Sequence, residues 1–243
     1  MAAIDAVFLD FAGTLFSDRD LRDAHLRQLQ FVAREAGVSG SDQELRRAYR
    51  MGMGVAFRAM GNQPSYSHRA LFTAAYLAMA EALGGRIDPQ TAETAVDRQY
   101  AATLNAATLR PDCIATLLAL RECGVHLQIV SNIDEEQLYG LVEELGLAGL
   151  LDEFTSSEAA RSCKPDPGIY RFALAKAQCD PAAVLFVGDT LHHDIAGPAA
   201  MGMRTAWLTT DAKGASEDVR PDFVITALAE LPALVRQAGG RVP

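Results

Sequence analysis

Lysine and cysteine are both scarce in this 243-residue chain, and each scarcity narrows what the protein can do. Lysine occurs only at Lys164, Lys176 and Lys213, so few ammonium groups are available for catalysis. The 4 cysteines form no CxxC pair and no metal-ligating spacing with histidine. This usage favours reduced thiols in a cytoplasmic protein.

Long hydrophobic runs and an excess of positive charge are missing as well. No apolar run reaches the roughly 18 residues that a membrane helix needs, and the first residues lack the basic start of a signal peptide. The formal net charge of -9 argues against nucleic acid or an anionic membrane as a partner. A small anionic substrate is still compatible with this charge, because a pocket can be locally positive.

Two different patterns of apolar residues divide the chain. Helical spacing runs through residues 20 to 108, where no convincing strand occurs. After Pro111, helices alternate with apolar strands, which predicts a mainly parallel sheet covered on both faces. We therefore expect an α/β protein with a doubly wound, Rossmann-like core of residues 1–15 and 109–243 and an inserted helical domain of residues 16–108.

Polar residues stand at the carboxyl ends of three predicted strands. The first strand ends in Asp10, the second in Ser131 and Asn132, and the third in Asp189, with Asp194 close behind. Ligands bind just outside the carboxyl ends of parallel strands, so these side chains should converge. Carboxylates that lie this close repel each other unless a cation separates them, and a set of oxygen ligands suits Mg²⁺.

Four stretches in this order resemble the motifs of the haloacid dehalogenase (HAD) superfamily. They are DFAGTL from Asp10, SN from Ser131, KP from Lys164 and GDTLHHD from Gly188. Lys164 is also the only lysine placed where it could neutralise an anion at this edge, at the predicted start of a helix. The inserted helices of residues 16–108 stand where that superfamily has a helical cap domain.

The resemblance implies a nucleophile and a metal site. Asp10 would be the nucleophile and form a covalent intermediate. Mg²⁺ would be bound by the Asp10 carboxylate, the backbone carbonyl of Ala12 and Asp189. Asp194 would support these ligands from behind or reach the ion through a water molecule.

The resemblance also implies which residues contact the substrate. Lys164 and Ser131 would act in catalysis by holding the oxygens of the transferring group, together with the backbone of Asn132. Phe11 and His192 complete the expected substrate-binding set with Ala12. The implied partner is a small phosphorylated molecule, and we expect a monomer or a homodimer.

Ala12 is a departure from the superfamily's phosphatases, which usually carry a second aspartate here to protonate the leaving oxygen. Alanine cannot transfer a proton, and a positioned acid or base is worth roughly 100- to 10,000-fold in rate. We therefore predict a magnesium-dependent phosphatase that takes its proton from elsewhere, with His192 and His193 as the best candidates, or that acts on a good leaving group.

Three alternatives stay open at the sequence level. A phosphonatase-like C–P hydrolase would share the DxAGT motif, but residues 16 to 108 contain no lysine to form the required Schiff base. A 2-haloacid dehalogenase would match GTLF but not Ala12, where those enzymes have tyrosine. A binding or non-hydrolytic protein on the same scaffold would also explain a missing proton donor.

Overall fold

The chain divides into two compact units in a computed structural model that describes residues 3–60, 63–210 and 219–239. One unit comprises Met1–Ser17 with Thr108–Pro243, and the other comprises Asp18–Ala107. Within the described residues, no helix is both long and apolar enough to cross a membrane.

The first unit is built on a parallel six-stranded sheet. Its strands are β1 (Ala6–Leu9), β2 (His126–Ser131), β3 (Glu153–Ser156), β4 (Val184–Gly188), β5 (Arg204–Leu208) and β6 (Phe223–Ile225). Their order is β3-β2-β1-β4-β5-β6, so the chain winds outward from β1 first in one direction and then in the other. The predicted doubly wound α/β fold is confirmed.

Ten α-helices are present in the described residues. They are α1 (Asp18–Glu35), α2 (Asp42–Met60), α3 (His68–Ala82), α4 (Pro89–Ala106), α5 (Cys113–Glu122), α6 (Glu135–Glu144), α7 (Ser157–Ala160), α8 (Pro167–Ala177), α9 (Gly197–Ala200) and α10 (Leu231–Gln237). A π-helical turn, Leu191–Ala196, stands directly before α9. The sequence pattern predicts one short helix over residues 193–202. The structure instead has the π-helical turn followed by the α-helical turn α9.

Strand register brings the predicted site residues to one edge of the sheet. All of β1 is buried, as expected for a strand covered on both faces. Leu9 lies opposite Ile129 of β2 and Val187 of β4. Beyond this register position, all three strands therefore end at the same edge of the sheet.

The segment between α6 and α8 differs from the prediction. The sequence pattern indicates no strand here, yet Glu153–Ser156 forms the edge strand β3. Helix α8 begins at Pro167 rather than at Lys164, and the Asp166 side chain caps it by accepting a hydrogen bond from the Gly168 N–H. Lys164 consequently lies in the loop before the helix.

The helical unit contains α1 to α4, as the apolar spacing predicts. Helix α2 starts with a capping box, in which the Ser41 N–H donates to the Glu44 carboxylate at 2.7 Å and the Glu44 N–H donates to the Ser41 hydroxyl. Helix α4 starts at Pro89, with the Asp88 carboxylate accepting from the Thr91 N–H at 2.8 Å. These caps satisfy N–H groups that a helix leaves unpaired at its first turn.

Candidate active site

Asp10 directly follows β1 and is held by three neighbours. Its N–H donates to the Val187 carbonyl at 2.9 Å, which continues the pairing of β1 with β4. Its buried carboxylate accepts the Thr14 hydroxyl on one oxygen at 3.1 Å and the Lys164 ammonium on the other at 2.6 Å. Both carboxylate oxygens thus have a fixed direction.

A tight turn of residues 11–15 follows Asp10. The Leu15 N–H donates to the Phe11 carbonyl at 2.8 Å, and Gly13 adopts the left-handed region with φ 86°. A Cβ atom on Gly13 would lie 2.4 Å from Oδ2 of Asp189, so only glycine lets that carboxylate approach the turn. Ala12 is exposed at the start of the turn.

Three carboxylates converge at this edge of the sheet. Oxygen atoms of Asp10, Asp189 and Asp194 all lie within 4.8 Å of one another. Asp189 is exposed at the end of β4, whereas Asp194 is buried in the π-helical turn and accepts the Thr190 N–H at 2.9 Å. A Cβ atom on Gly188 would lie 2.3 Å from the Asp194 side chain, so this glycine makes room for the buried carboxylate.

Lys164 inserts its ammonium between two of these carboxylates. Nζ lies 2.6 Å from Asp10 and 2.7 Å from Asp194, and the side chain is almost fully buried. Burial alone would lower the pKa of this ammonium, but the two carboxylates outweigh burial and raise its pKa above the usual value. Lys164 is therefore charged at neutral pH.

The charge balance of the cluster fits a divalent cation. The three carboxylates and one ammonium leave a formal charge of −2. Burial raises the pKa of Asp194, the Lys164 ammonium opposes that rise, and the Asp10 charge adds to it. A cation would relieve this excess of negative charge, and an all-oxygen donor set suits Mg²⁺.

Asn132 fixes the loop that carries Lys164. Its side-chain amide donates to the Lys164 carbonyl at 2.9 Å and accepts the Lys164 N–H at 2.6 Å. The side chain therefore positions the lysine, while the Asn132 backbone stays at the strand end together with Ser131. Ser131 is buried at the last position of β2, opposite Ser156 of β3.

The other residues predicted to contact the substrate or to supply a proton differ in how exposed their side chains are. His192 is exposed, and its ring centroid lies 5.6 Å from that of His193. Burial, followed by the nearby Lys164 charge, lowers the pKa of His193 to about 4, so this imidazole is neutral at pH 7. The Phe11 side chain is fully buried edge-to-face against Phe16, which leaves only its backbone for a ligand.

Sequence reasoning missed two features of the site. Gly188 is needed for steric reasons that appear only when Asp194 is in place. Arg110 donates two hydrogen bonds to the turn after Asp10, although it lies far away in the chain. Gly188 is the first residue of the GDTLHHD motif, but the motif alone gives it no role. No local pattern marks Arg110, because it acts on a segment that only the fold brings near.

Comparison with known proteins identifies the family. The model of the haloacid dehalogenase-like hydrolase family matches residues 4–202. The chain belongs to the haloacid dehalogenase-like hydrolases. The predicted superfamily membership is therefore confirmed, and with it the prediction of a hydrolase.

Individual members of this HAD family resemble the chain to different extents. It is 28% identical over 238 residues to the ribulose-1,5-bisphosphate 5-phosphatase of Halopiger xanaduensis, covering 95% of this chain and 98% of that protein. It is 32% identical over 126 residues to (S)-2-haloacid dehalogenase 1 of a Pseudomonas species, covering 51% and 55% respectively. The magnesium-bound HAD hydrolase YfnB of Bacillus subtilis matches the fold with a TM-score of 0.78 at 18% identity, over 96% of this chain and 99% of that one.

Proposed function

We propose that this HAD hydrolase is a magnesium-dependent phosphatase that acts on a small phosphorylated metabolite through a covalent intermediate on Asp10. The observation that carries the proposal is the cluster of Asp10, Asp189 and Asp194, with the Lys164 ammonium paired to Asp10 and Asp194. The phosphatase of Halopiger xanaduensis, similar along nearly its whole length, supports the phosphorylated class of substrate.

The carboxylate cluster supplies the ligands for the metal. Mg²⁺ would be held by Asp10, the Ala12 carbonyl and Asp189, with Asp194 binding directly or through water. When bound, the ion neutralises negative charge on the phosphoryl oxygens and on the attacking carboxylate.

In the proposed reaction, Asp10 transfers the phosphoryl group and three neighbouring groups hold its oxygens. One Asp10 oxygen attacks phosphorus, the bond from phosphorus to the ester oxygen breaks, and that oxygen leaves with the electron pair and takes up a proton. The Lys164 ammonium, the Ser131 hydroxyl and the Asn132 N–H would hold the phosphoryl oxygens. Water then attacks phosphorus and frees phosphate and the Asp10 carboxylate.

Ala12 restricts the substrates that such a site can cleave. No side chain at this position can protonate the leaving oxygen, and Ala12 itself is exposed. An acyl phosphate or another activated ester would need no acid, because its leaving oxygen is already a weak base. Of the two histidines predicted as proton sources, only the exposed His192 stays a candidate, because the low pKa of His193 leaves that imidazole without an acidic proton at pH 7.

The helical unit Asp18–Ala107 is proposed to act as the cap domain that selects the substrate. The sequence places this cap at residues 16–108, and choice of substrate by inserted helices would leave the chemistry of the core unchanged. A cytoplasmic location and a monomeric or homodimeric state complete the proposal.

Phosphate release from a panel of phosphorylated metabolites tests this function. We expect release that requires Mg²⁺, that is lost on chelation and that is abolished in Asp10→Asn, a variant of nearly the same size without the nucleophile. Release that persists in Asp10→Asn would contradict the assignment of the nucleophile.

A haloacid dehalogenase is the second candidate, because the chain is 32% identical to one over half of its length. The retained Asp189 and Asp194 argue against it, since displacement of a halide needs no metal. Chloride release from 2-chloropropionate without Mg²⁺, together with no phosphate release from any ester, would favour the dehalogenase.

A further inference from the structure

One arginine side chain ties down the turn that follows the nucleophile. Nε of Arg110 donates to the Thr14 carbonyl at 2.9 Å, and its Nη2 donates to the Gly13 carbonyl at 2.7 Å. The Arg110 backbone N–H also donates to the Leu15 carbonyl at 2.9 Å. The carbonyls of three consecutive turn residues therefore all accept hydrogen bonds from Arg110.

The charge of Arg110 has no acidic partner among the residues that the structure describes. Within the described part of the chain, no carboxylate lies within ion-pair distance of its half-buried guanidinium. A half-buried charge without hydrogen bonds would be costly, and hydrogen bonds to a charged donor are stronger than neutral ones. The two carbonyls are thus the principal protein partners of this guanidinium.

The turn held by Arg110 connects directly to the carboxylate cluster. The Thr14 hydroxyl donates to Asp10, and Gly13 packs against the Asp189 carboxylate. Ala12, whose carbonyl is a proposed metal ligand, immediately precedes Gly13. A shift of this turn would therefore disturb three of the groups assigned to the metal.

We propose that Arg110 is a positioning residue for the metal site. By fixing the carbonyls of Gly13 and Thr14, it keeps the Ala12 carbonyl, Asp10 and Asp189 at the spacing that binds a divalent cation. The inference rests on the proposed function, because it concerns the metal assigned there.

Arginine and lysine differ in what they can hold at this position. The planar guanidinium presents two parallel N–H groups to two adjacent carbonyls, whereas an ammonium is a point donor on a flexible stem. Arg110→Lys keeps the charge but can fix only one carbonyl well. Its metal affinity should therefore lie between that of the wild type and that of Arg110→Met. This order separates positioning from a pure effect of charge.

The test is the affinity of the full chain for Mn²⁺, measured by electron paramagnetic resonance without substrate. Partners of metal ligands typically contribute about 10- to 100-fold in metal affinity. We expect Arg110→Met to weaken Mn²⁺ binding by at least about tenfold, and Arg110→Lys to recover part of that loss. On a phosphate ester, kcat should fall while KM for the ester changes little.

Arg121 provides the matched control in the same unit. Its Nη1 also donates to a backbone carbonyl, that of Leu150 at 3.4 Å, and pairs with Asp152 at 3.6 Å. These contacts do not involve the turn after Asp10. The Arg121→Met variant, which loses them, should therefore bind Mn²⁺ like the wild type.

Each other outcome overturns the inference. Wild-type Mn²⁺ affinity in Arg110→Met, or an equal loss in Arg121→Met, would show that the turn does not depend on Arg110. If Arg110→Met does not fold, Arg110→Lys decides, and unchanged affinity there has the same meaning. No Mn²⁺ uptake by the wild type would overturn the proposed function as well.

Discussion

The unusual residue of this site is Ala12, a small side chain at the position where the phosphatases it resembles carry an acid. The groups around it are complete: Asp10 is fixed by hydrogen bonds from Thr14 and Lys164, and Asp189 lies against Gly13. If Asp10 is the nucleophile, as proposed, this site keeps its carboxylates but has no acid at position 12, and its turnover should be limited by departure of the leaving group.

Restoring the acid tests this limitation. We expect Ala12→Asp to raise kcat for simple phosphomonoesters by about tenfold or more, because a positioned acid contributes roughly 100- to 10,000-fold when fully effective. Turnover of an acyl phosphate should change little, since its leaving oxygen needs no proton. The check is phosphate release from both substrate types under the same Mg²⁺ concentration, and unchanged or lower phosphomonoester turnover would contradict the missing-acid explanation.

Individual site residues were predictable where they terminate strands. Asp10, Ser131 and Asp189 each follow an apolar run, and that local signal is enough to place them at one edge. The roles of Asn132 and Arg110 were not predictable, because Asn132 contacts Lys164 and Arg110 contacts Gly13 across long separations in the chain. Hydrogen bonds of this kind leave no trace in local periodicity.

At the scale of elements, the close approach of α2 to α3 in the helical unit depends on one glycine of α2. A Cβ atom on Gly52 would lie 2.3 Å from the Ala75 carbonyl of α3. The neighbouring Gly54 has only the flexible tip of Arg58 nearby, at 3.4 Å. The two glycines therefore have opposite expected responses to the same substitution.

Paired alanine substitutions in α2 test this contact. Gly52→Ala should lower the free energy of unfolding of the chain by about 1–3 kcal/mol, the usual cost of overpacking. Gly54→Ala should raise it by up to about 1 kcal/mol, because alanine favours a helix over glycine. Chemical denaturation followed by circular dichroism measures both changes, and a shared sign would contradict the packing described here.

The sequence predicts long elements better than short ones. Helices α1 to α4 have clear periodicity and side-chain caps such as Ser41 and Asp88, and they were anticipated. The edge strand Glu153–Ser156 was missed, because a strand of 4 residues with Phe154 as its one apolar side chain is too short to show an alternation. The π-helical geometry around Asp194 was also missed, since the sequence pattern does not distinguish a π-helical turn from an α-helix.

For the molecule as a whole, stability should depend on pH through a partly buried histidine of the helical unit, His25. The His25 ring packs edge-to-face on Tyr49 with centroids 4.6 Å apart, and its Nε2 is buried without a hydrogen-bond partner among the described residues. Burial, together with the charge of Arg46, lowers the pKa of His25 to about 4. The folded state therefore binds fewer protons than the unfolded chain between about pH 4 and 6.5.

Acidification through this window should destabilise the wild type more than His25→Gln. The stability that depends on neutral His25 is fully present above pH 6.5, and about 1–3 kcal/mol of it is lost by the time the pH reaches 4. Unfolding free energies of both proteins at pH 7 and pH 4.5 measure it. The difference between them isolates His25, because every other titrating group is common to both, and equal pH dependence would contradict its neutral burial.

The proposed function requires Asp10, Asp189 and Asp194 to form one magnesium site in which Asp10 is also the attacking carboxylate. A crystal structure of the chain with Mg²⁺ and beryllium trifluoride, a mimic of the aspartyl phosphate, tests it most directly. We predict beryllium trifluoride on the Asp10 carboxylate, and Mg²⁺ bound by Asp10, the Ala12 carbonyl and Asp189. A site that holds neither group at saturating concentrations, or a magnesium ion bound without Asp10 and Asp189, would contradict the account.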